Sequence, residues 1–502
     1  MSVDTRKQGT APGGPGASGS AGAPAAQEMP QGAGLVIGLL LVSAFVVILN
    51  ETIMGVALPQ LTRDLSITTA TAQWLTTGFM LTMAVVIPAT GFLLQRFNTR
   101  PVFIAAMTLF STGTLIAALA PGFGVLLVGR IVQASGTAIM MPLLMTTVMT
   151  LVPAHSRGRM MGRISIVISV APAIGPTVSG LILSSLSWRW MFIIVLPIAL
   201  GALALGAARV RNVTTPRDAS IDIVSVVLSA LAFGGLIFGL SSVGEAAAGE
   251  APMPLWIPLT VGVVALAAFI ARQFRLQRRE RALLDLRTFG TMSFTVAIAL
   301  VATSMMALFG SLIVLPIYLQ NVLGLPTLTT GLLLLPGGLV MAVLSPIVGR
   351  LFDRYGPRPL VIPGAFVVSA ALWMLASLSE TTPSSMVVVV HVVLSVGLAL
   401  MFPPLLTSAL GSLRPQLYSH GSATVGTVQQ LAGAAGTALF VTLLTTGSAD
   451  ALAAGTDPVL AIEAGVQDAF MAGAIISVVA VVLSFFVRRP KAALPEGVGA
   501  GH

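Results

Sequence analysis

A chain of 502 residues with 56% hydrophobic and only 9% charged residues cannot cover a water-facing surface, because soluble domains carry roughly 25% charged residues. Its mean hydropathy of +0.97 leaves hydrocarbon as the main solvent, where only helices or closed barrels satisfy the backbone. Cysteine is absent, which excludes disulfides, thiol nucleophiles and thiolate metal sites, and His155, His391, His420 and His502 are too scattered to form a ligand cluster.

Long apolar runs such as 34–49, 101–120 and 387–401 favour helices; barrel strands show only about ten residues of alternating polarity. The expected fold is therefore an all-α polytopic membrane protein. The stretch 1–33, rich in Gly, Ala, Pro and Ser, is expected to be a disordered cytoplasmic tail rather than a signal peptide, because the first apolar segment is too long for one. Spanning a bilayer takes about 20 apolar residues per helix. Windows of that size place six spans near 34–58, 72–94, 101–120, 123–150, 160–185 and 189–209. Two more follow near 220–242 and 254–271, and six near 293–319, 329–351, 359–378, 385–410, 421–446 and 466–487.

Charge placement tests this map. With both termini cytoplasmic, the inside loops receive Arg96 and Arg100, then Arg157, Arg159 and Arg163, then Arg209, Arg211 and Arg217. They also receive the cluster from Arg272 to Arg287, then Arg350, Arg354, Arg358 and Arg414, and finally Arg488, Arg489 and Lys491. Only Arg63 and Arg189 fall on outside connections, as the positive-inside rule requires. The net charge of +9 is thus an orientation signal, and no nucleic-acid partner is expected. Lysine occurs only as Lys7 and Lys491; with abundant Ala and Gly, this bias suggests a bacterial chromosome rich in G and C, and so a multi-pass protein of the bacterial plasma (inner) membrane.

The chain repeats itself. Gly91-Phe-Leu-Leu-Gln-Arg-Phe-Asn-Thr-Arg100 follows span 2, and Gly349-Arg-Leu-Phe-Asp-Arg-Tyr-Gly-Pro-Arg358 follows span 10. Matching short loops mark parallel-repeat transporters. The expected organisation is a six-helix bundle over 34–212, two inserted helices with a basic linker over 213–290, a second bundle over 291–488, and a cytoplasmic tail over 489–502.

Within the spans, ionisable residues are functional hypotheses by default. Glu51 is the sole deep carboxylate between residues 34 and 212. A carboxyl group in hydrocarbon is cheaper protonated, and a cationic substrate beside it favours the carboxylate, so Glu51 can exchange a proton for a positive charge. The alternative is a structural hydrogen bond to a neighbouring helix. Arg130 needs oxygen partners, and Glu51 and Gln133 are the candidates, Gln133 lying on the same helix face; the alternative is an interhelical staple. Pro172, Gly175, Pro176 and Gly180 suggest a kinked, closely packed span 5. His391 is a candidate relay or an interhelical hydrogen bond, and His420 lies near a loop. Met140, Met141, Met145 and Met149 offer an adaptable apolar surface or plain core. Asp353, with Arg354 and Arg358, is the expected cytoplasmic latch, whereas Gln95 breaks the matching pair beside Arg96 and Arg100.

These motifs resemble the major facilitator superfamily, specifically its fourteen-span drug:proton antiporters. Gly349 to Arg358 is similar to the family's loop pattern, and the first turn departs from it at Gln95 and Asn98. Leu126-x-x-x-Arg130-x-x-Gln133-x-x-Gly136 resembles the buried-arginine motif, and 171–180 the antiporter motif. Leu49-Asn50-Glu51-Thr52 resembles the lincomycin-resistance branch. The resemblance implies two six-helix bundles plus two inserted helices, rocking around a midplane site; Asn50, Gln133, Met141, Met145 and His391 are the candidates for a substrate or proton pathway. It implies that Arg130 controls the proton on Glu51, and that lipophilic, cationic small molecules leave the cell in exchange for H+. A dedicated exporter of one metabolite or antibiotic, or an importer, fits the same fold. A membrane-embedded enzyme would need a cluster of reactive side chains that the spans lack. A monomer without cofactor or metal is expected, its partners being substrates, protons and lipid.

Overall fold

The computed structural model describes residues 32–210, 212, 222–243, 246 and 253–489. The expected tails, apart from their innermost residues, and most of the connection at 211–221 lie outside the described residues. Among the described residues, fourteen helices are long and apolar enough to cross a membrane. They are α1 (Ala33–Asp64), α2 (Thr69–Arg96), α3 (Thr99–Ala118), α4 (Phe123–Leu151), α5 (Arg157–Ser185), α6 (Trp190–Arg209) and α7 (Ile223–Ser241). They continue as α8 (Trp256–Leu276), α9 (Met292–Ile317), α10 (Thr327–Tyr355), α11 (Arg358–Leu375), α12 (Ser384–Gly411), α13 (Tyr418–Ala453) and α14 (Pro458–Ser484).

Local chemistry sets several of the starts. Thr68 accepts from the Thr71 amide at 3.1 Å to cap α2, and Asp222 accepts from the Ser225 amide at 3.0 Å to cap α7. Asp457 does the same for α14, where Pro458 takes the first helical position. Arg272 grips Asp222 through two hydrogen bonds of 2.6 and 2.7 Å, tying α8 to the start of α7 and holding the Asp222 carboxyl well below the usual carboxylate range. The 36 residues of α13 reach about 54 Å, so this helix extends well past the hydrocarbon. Large apolar side chains such as Leu119, Leu181, Ile223, Trp256 and Val343 stand exposed around the helix set. In a bilayer that surface contacts lipid, and it needs no partner.

The helix contacts repeat with a shift of eight. α1 packs on α4, α5 and α6, α2 on α4, and α3 on α4 and α6. Eight helices later, α9 packs on α12, α13 and α14, α10 on α12, and α11 on α12 and α14. The two sets meet reciprocally: α5 lies on α10 and α12, while α13 lies on α2 and α4. This is the pattern of two six-helix bundles related by a pseudo-two-fold axis, with α5–α10 as the most extensive helix contact. The inserted α7 rests on α2 and α13, and α8 packs on α7 at the flank. Only one of the two repeated turns needs left-handed backbone: Gly356 has φ +82°, while Asn98 sits in extended backbone at φ −65°. That difference explains why glycine is dispensable at Asn98.

Candidate functional site

Three consecutive residues of α1 point to different neighbours, since each helical residue turns by about 100°. Asn50 is fully buried and its Oδ1 accepts from Arg130 Nη1 of α4 at 3.1 Å. Thr52 Oγ1 lies 3.3 Å from the Ala171 carbonyl of α5, and a Cβ at Gly175 would run into Thr52. Glu51, between them, is only half-buried. Its backbone is thus fixed from both sides.

Arg130 is 1% exposed. One turn along α4, Gln133 Oε1 accepts from Arg130 Nη1 at 2.6 Å, and Gln133 Nε2 donates to Thr114 Oγ1 of α3 at 2.8 Å. The Phe79 ring of α2 lies 4.1 Å from the guanidinium carbon, a cation–π contact. Of the two candidate partners, Gln133 takes the guanidinium, and Glu51 forms no ion pair with it among the described residues, although the two charges interact electrostatically; Asn50 is the other acceptor. Asn50 Nδ2 and Arg130 Nε are buried donors without a partner among the described residues. Two spare donors therefore lie beside the one deep carboxyl of this bundle.

The remaining predicted residues divide clearly. Gly175 makes the expected close approach, but Gly180 is exposed with open space around it, and the side chain of Pro176 lies outside the described residues. Pro172 is half-buried on α5. Met145, with Met140 and Met149, is sealed in the main apolar core, while Met141 packs against that core half-buried. Met145 therefore presents no open surface in this conformation. His391, on α12, reaches the backbone of Leu334 in α10, and so sits in the second bundle, apart from the Arg130 network. His420 lies near the start of α13, as expected, but is 4% exposed and so packs inward rather than facing the loop.

The repeated turns form a seam on one face, which carries the arginine-rich connections. Asp353 Oδ1 accepts from the Gly158 amide at 2.7 Å and Oδ2 from the Arg159 amide at 2.8 Å. A carboxylate of α10 thus caps the first turn of α5 in the other bundle, where the helix dipole favours negative charge. The partners are backbone amides rather than the expected arginines. Arg354 lies over the Tyr355 ring, and Arg358 Nε donates to the Val487 carbonyl at 2.9 Å. At Gly158 a Cβ would stand 2.5 Å from Asp353 Oδ1 and from the Gly349 carbonyl oxygen, so the backbones touch there. Arg157 donates to the Met149 and Val152 carbonyls and to Tyr418 Oη at 3.2 Å, bridging α4, α5 and α13. In the first repeat, Gln95 Nε2 donates to the Gln416 carbonyl at 3.2 Å, Arg96 ends α2, and the Arg100 amide donates to Asn212 Oδ1. Sequence reading missed Phe79, Thr114, Gly158 and Tyr418. An aromatic, a lone threonine or a helix-start glycine in an apolar chain carries no pattern of its own.

Comparison with known proteins fits this geometry. The model of the Major Facilitator Superfamily matches residues 40–437. A lincomycin resistance protein LmrB of Listeria monocytogenes is 42% identical over 461 residues, which cover 91% of this chain and 97% of that protein. A multidrug resistance protein B homolog of Mycobacterium tuberculosis is 30% identical, covering 81% of this chain and 75% of that one. Among solved structures, the proton:xylose symporter XylE superposes with a TM-score of 0.61 at 16% identity, covering 92% of this chain and 97% of that one. That likeness shows the fold.

Proposed function

The chain belongs to the Major Facilitator Superfamily, as a multi-pass secondary transporter of the bacterial plasma membrane, and from that premise we propose that it exports lipophilic, cationic drugs in exchange for protons. The observation that carries this reading is Glu51, a carboxyl of α1 deep in the first bundle that interacts electrostatically with Arg130 of the Asn50–Arg130–Gln133 network. The names of the relatives, lincomycin and multidrug resistance proteins, support the substrate class.

Protonated, Glu51 is a neutral group that leaves Arg130 to Asn50 and Gln133. Ionised, it attracts either a cationic substrate or the spare donors of Asn50 and Arg130. Proton and drug then compete for one carboxyl, which is the minimal device for exchange. The arginine-rich face is taken as cytoplasmic by the positive-inside rule. With the Asp353 contact in place there, the conformation described is shut on that face at the α5–α10 seam, and alternating access follows from rocking the two bundles about the α5–α10 and α2–α13 contacts. A single cysteine at Arg279, introduced into this cysteine-free chain, is labelled by an impermeant maleimide only from the cytoplasmic side if that orientation holds. Transport itself is tested with ethidium in proteoliposomes under an imposed pH gradient. Accumulation that follows the gradient and collapses with a protonophore is expected; ethidium movement indifferent to the gradient contradicts proton exchange.

A further inference from the structure

The acid that closes the α5–α10 seam has no counterpart in the first repeat, where Gln95 stands at the position of Asp353. The equivalent seam, between α2 and the start of α13, is occupied by a different element. The segment after α8 turns inward: Leu283, Leu284 and Asp285 are 2%, 5% and 3% exposed, although they belong to the arginine-rich linker. Leu283 and Leu284 join Ala84 of α2, Phe233 and Ile237 of α7, Phe269 of α8 and Ala423 of α13 in an apolar cluster separate from the main core. A Cβ at Gly91 would meet His420 Nδ1 at 3.1 Å and the Leu283 carbonyl oxygen at 3.4 Å, so α2, α13 and the linker converge at one point. The His420 imidazole reaches the backbone of Leu283 and feels the charges of Asp285 and Arg287.

The segment is anchored from behind. Gln273 of α8 is fully buried; its Oε1 accepts from the Leu283 and Leu284 amides at 2.8 and 3.3 Å, and its Nε2 donates to Ser225 Oγ of α7 at 2.8 Å. Asp285 folds back on Arg287, accepting from its amide at 2.9 Å and from Nη2 at 2.6 Å, which fixes the turn. We propose that Leu283–Arg287 is a second latch, which holds the α2–α13 seam shut on the arginine-rich face in place of the acid missing at Gln95, with α7 and α8 as its anchor. Gln273, Asp285 and His420 are then positioning residues for the rocking step, and the inserted helix pair is part of the gate. This inference rests on the rocking reading above.

The test uses the full chain in proteoliposomes with one added cysteine, Ser422→Cys. Ser422 is fully buried and hydrogen-bonded across the bundles to Thr146, so labelling by an impermeant maleimide from the arginine-rich face reports opening of that face. Gln273→Ala is expected to raise the labelling rate about tenfold, within the usual range of conformational coupling. Adding Gln95→Asp in the same chain restores slow labelling, because the acid caps α13 as Asp353 caps α5. Asp353→Asn serves as the reference for the other seam. If Asp353→Asn raises labelling while Gln273→Ala leaves it unchanged, the second latch is wrong though the rocking reading stands. If neither variant changes it, the rocking reading fails and the latch falls with it. Faster labelling in Gln273→Ala without restoration by Gln95→Asp also overturns the proposal. Should Gln273→Ala fail to reach the membrane, Asp285→Ala is read against the same outcomes.

Discussion

Glu51→Gln lowers pH-gradient-driven efflux by at least about tenfold, equivalent to about 1.4 kcal/mol of lost coupling, while the protein still reaches the membrane folded. Glutamine keeps the size and the hydrogen-bonding oxygen of the side chain but cannot take up or release a proton at working pH. Its neighbours are held independently of it: Asn50 by Arg130, and Thr52 by its contact with α5. Removing the charge therefore leaves the α1–α4–α5 packing in place. Exchange of labelled for unlabelled substrate, which moves no net proton, persists in the variant, and that contrast separates lost coupling from lost binding. Intact gradient-driven efflux in Glu51→Gln excludes the carboxyl from the mechanism.

Gly158→Val is expected to have a comparable effect by a steric route. Its added atoms would enter the space of Asp353 Oδ1, the Gly349 carbonyl oxygen and the Phe352 ring, each 2.5 Å from the new Cβ. All three belong to α10 at its seam with α5, and the carbonyl is backbone that cannot swing away. Overpacking of this kind costs about 1–3 kcal/mol, or roughly a 5- to 150-fold shift between conformations. Because the clash lies between bundles, the closed state alone suffers: turnover falls, and the protein remains monodisperse. Gly113→Val makes the contrasting control. Its Cβ would stand 2.6 Å from the Gly129 carbonyl oxygen and 2.7 Å from Gln133 Cα, inside one bundle, so that variant loses folded yield. Equal loss of yield in both variants would show that the Gly158 contact supports folding rather than gating.

The spans were legible because hydrocarbon permits little besides apolar helices of sufficient length. Ends were harder to read. Hydropathy placed the last helix near 466–487, yet it starts at Pro458 because Asp457 caps it and proline fits its first position. The Asp-Pro pair carried that signal, and the acidic Glu463 masked it from an apolar window. Arg130 and Gln133 could be paired from their spacing, since residues three apart share a helix face. The choice of Asn50 over Glu51 could not, because adjacent residues differ by about 100° in direction and spacing on one helix says nothing of the next. Asp353 stood out as an acid near a helix end, but its partners are backbone amides of another bundle, which no side-chain pattern reveals. Leu283–Arg287 read simply as part of the basic linker for the same reason: a short Leu-Leu-Asp-Leu run among arginines has no periodicity, and a single buried Gln273 sets its course.

The central claim, one carboxyl shared by proton and drug, is tested most directly by proton release on substrate binding. Purified protein in weakly buffered detergent solution is mixed with ethidium while pH is followed. About one proton is expected to leave the wild type per substrate bound, as charge exchange at one carboxyl requires, and none to leave Glu51→Gln although it still binds. Equal release from both proteins, or binding to the wild type without release, would contradict the account.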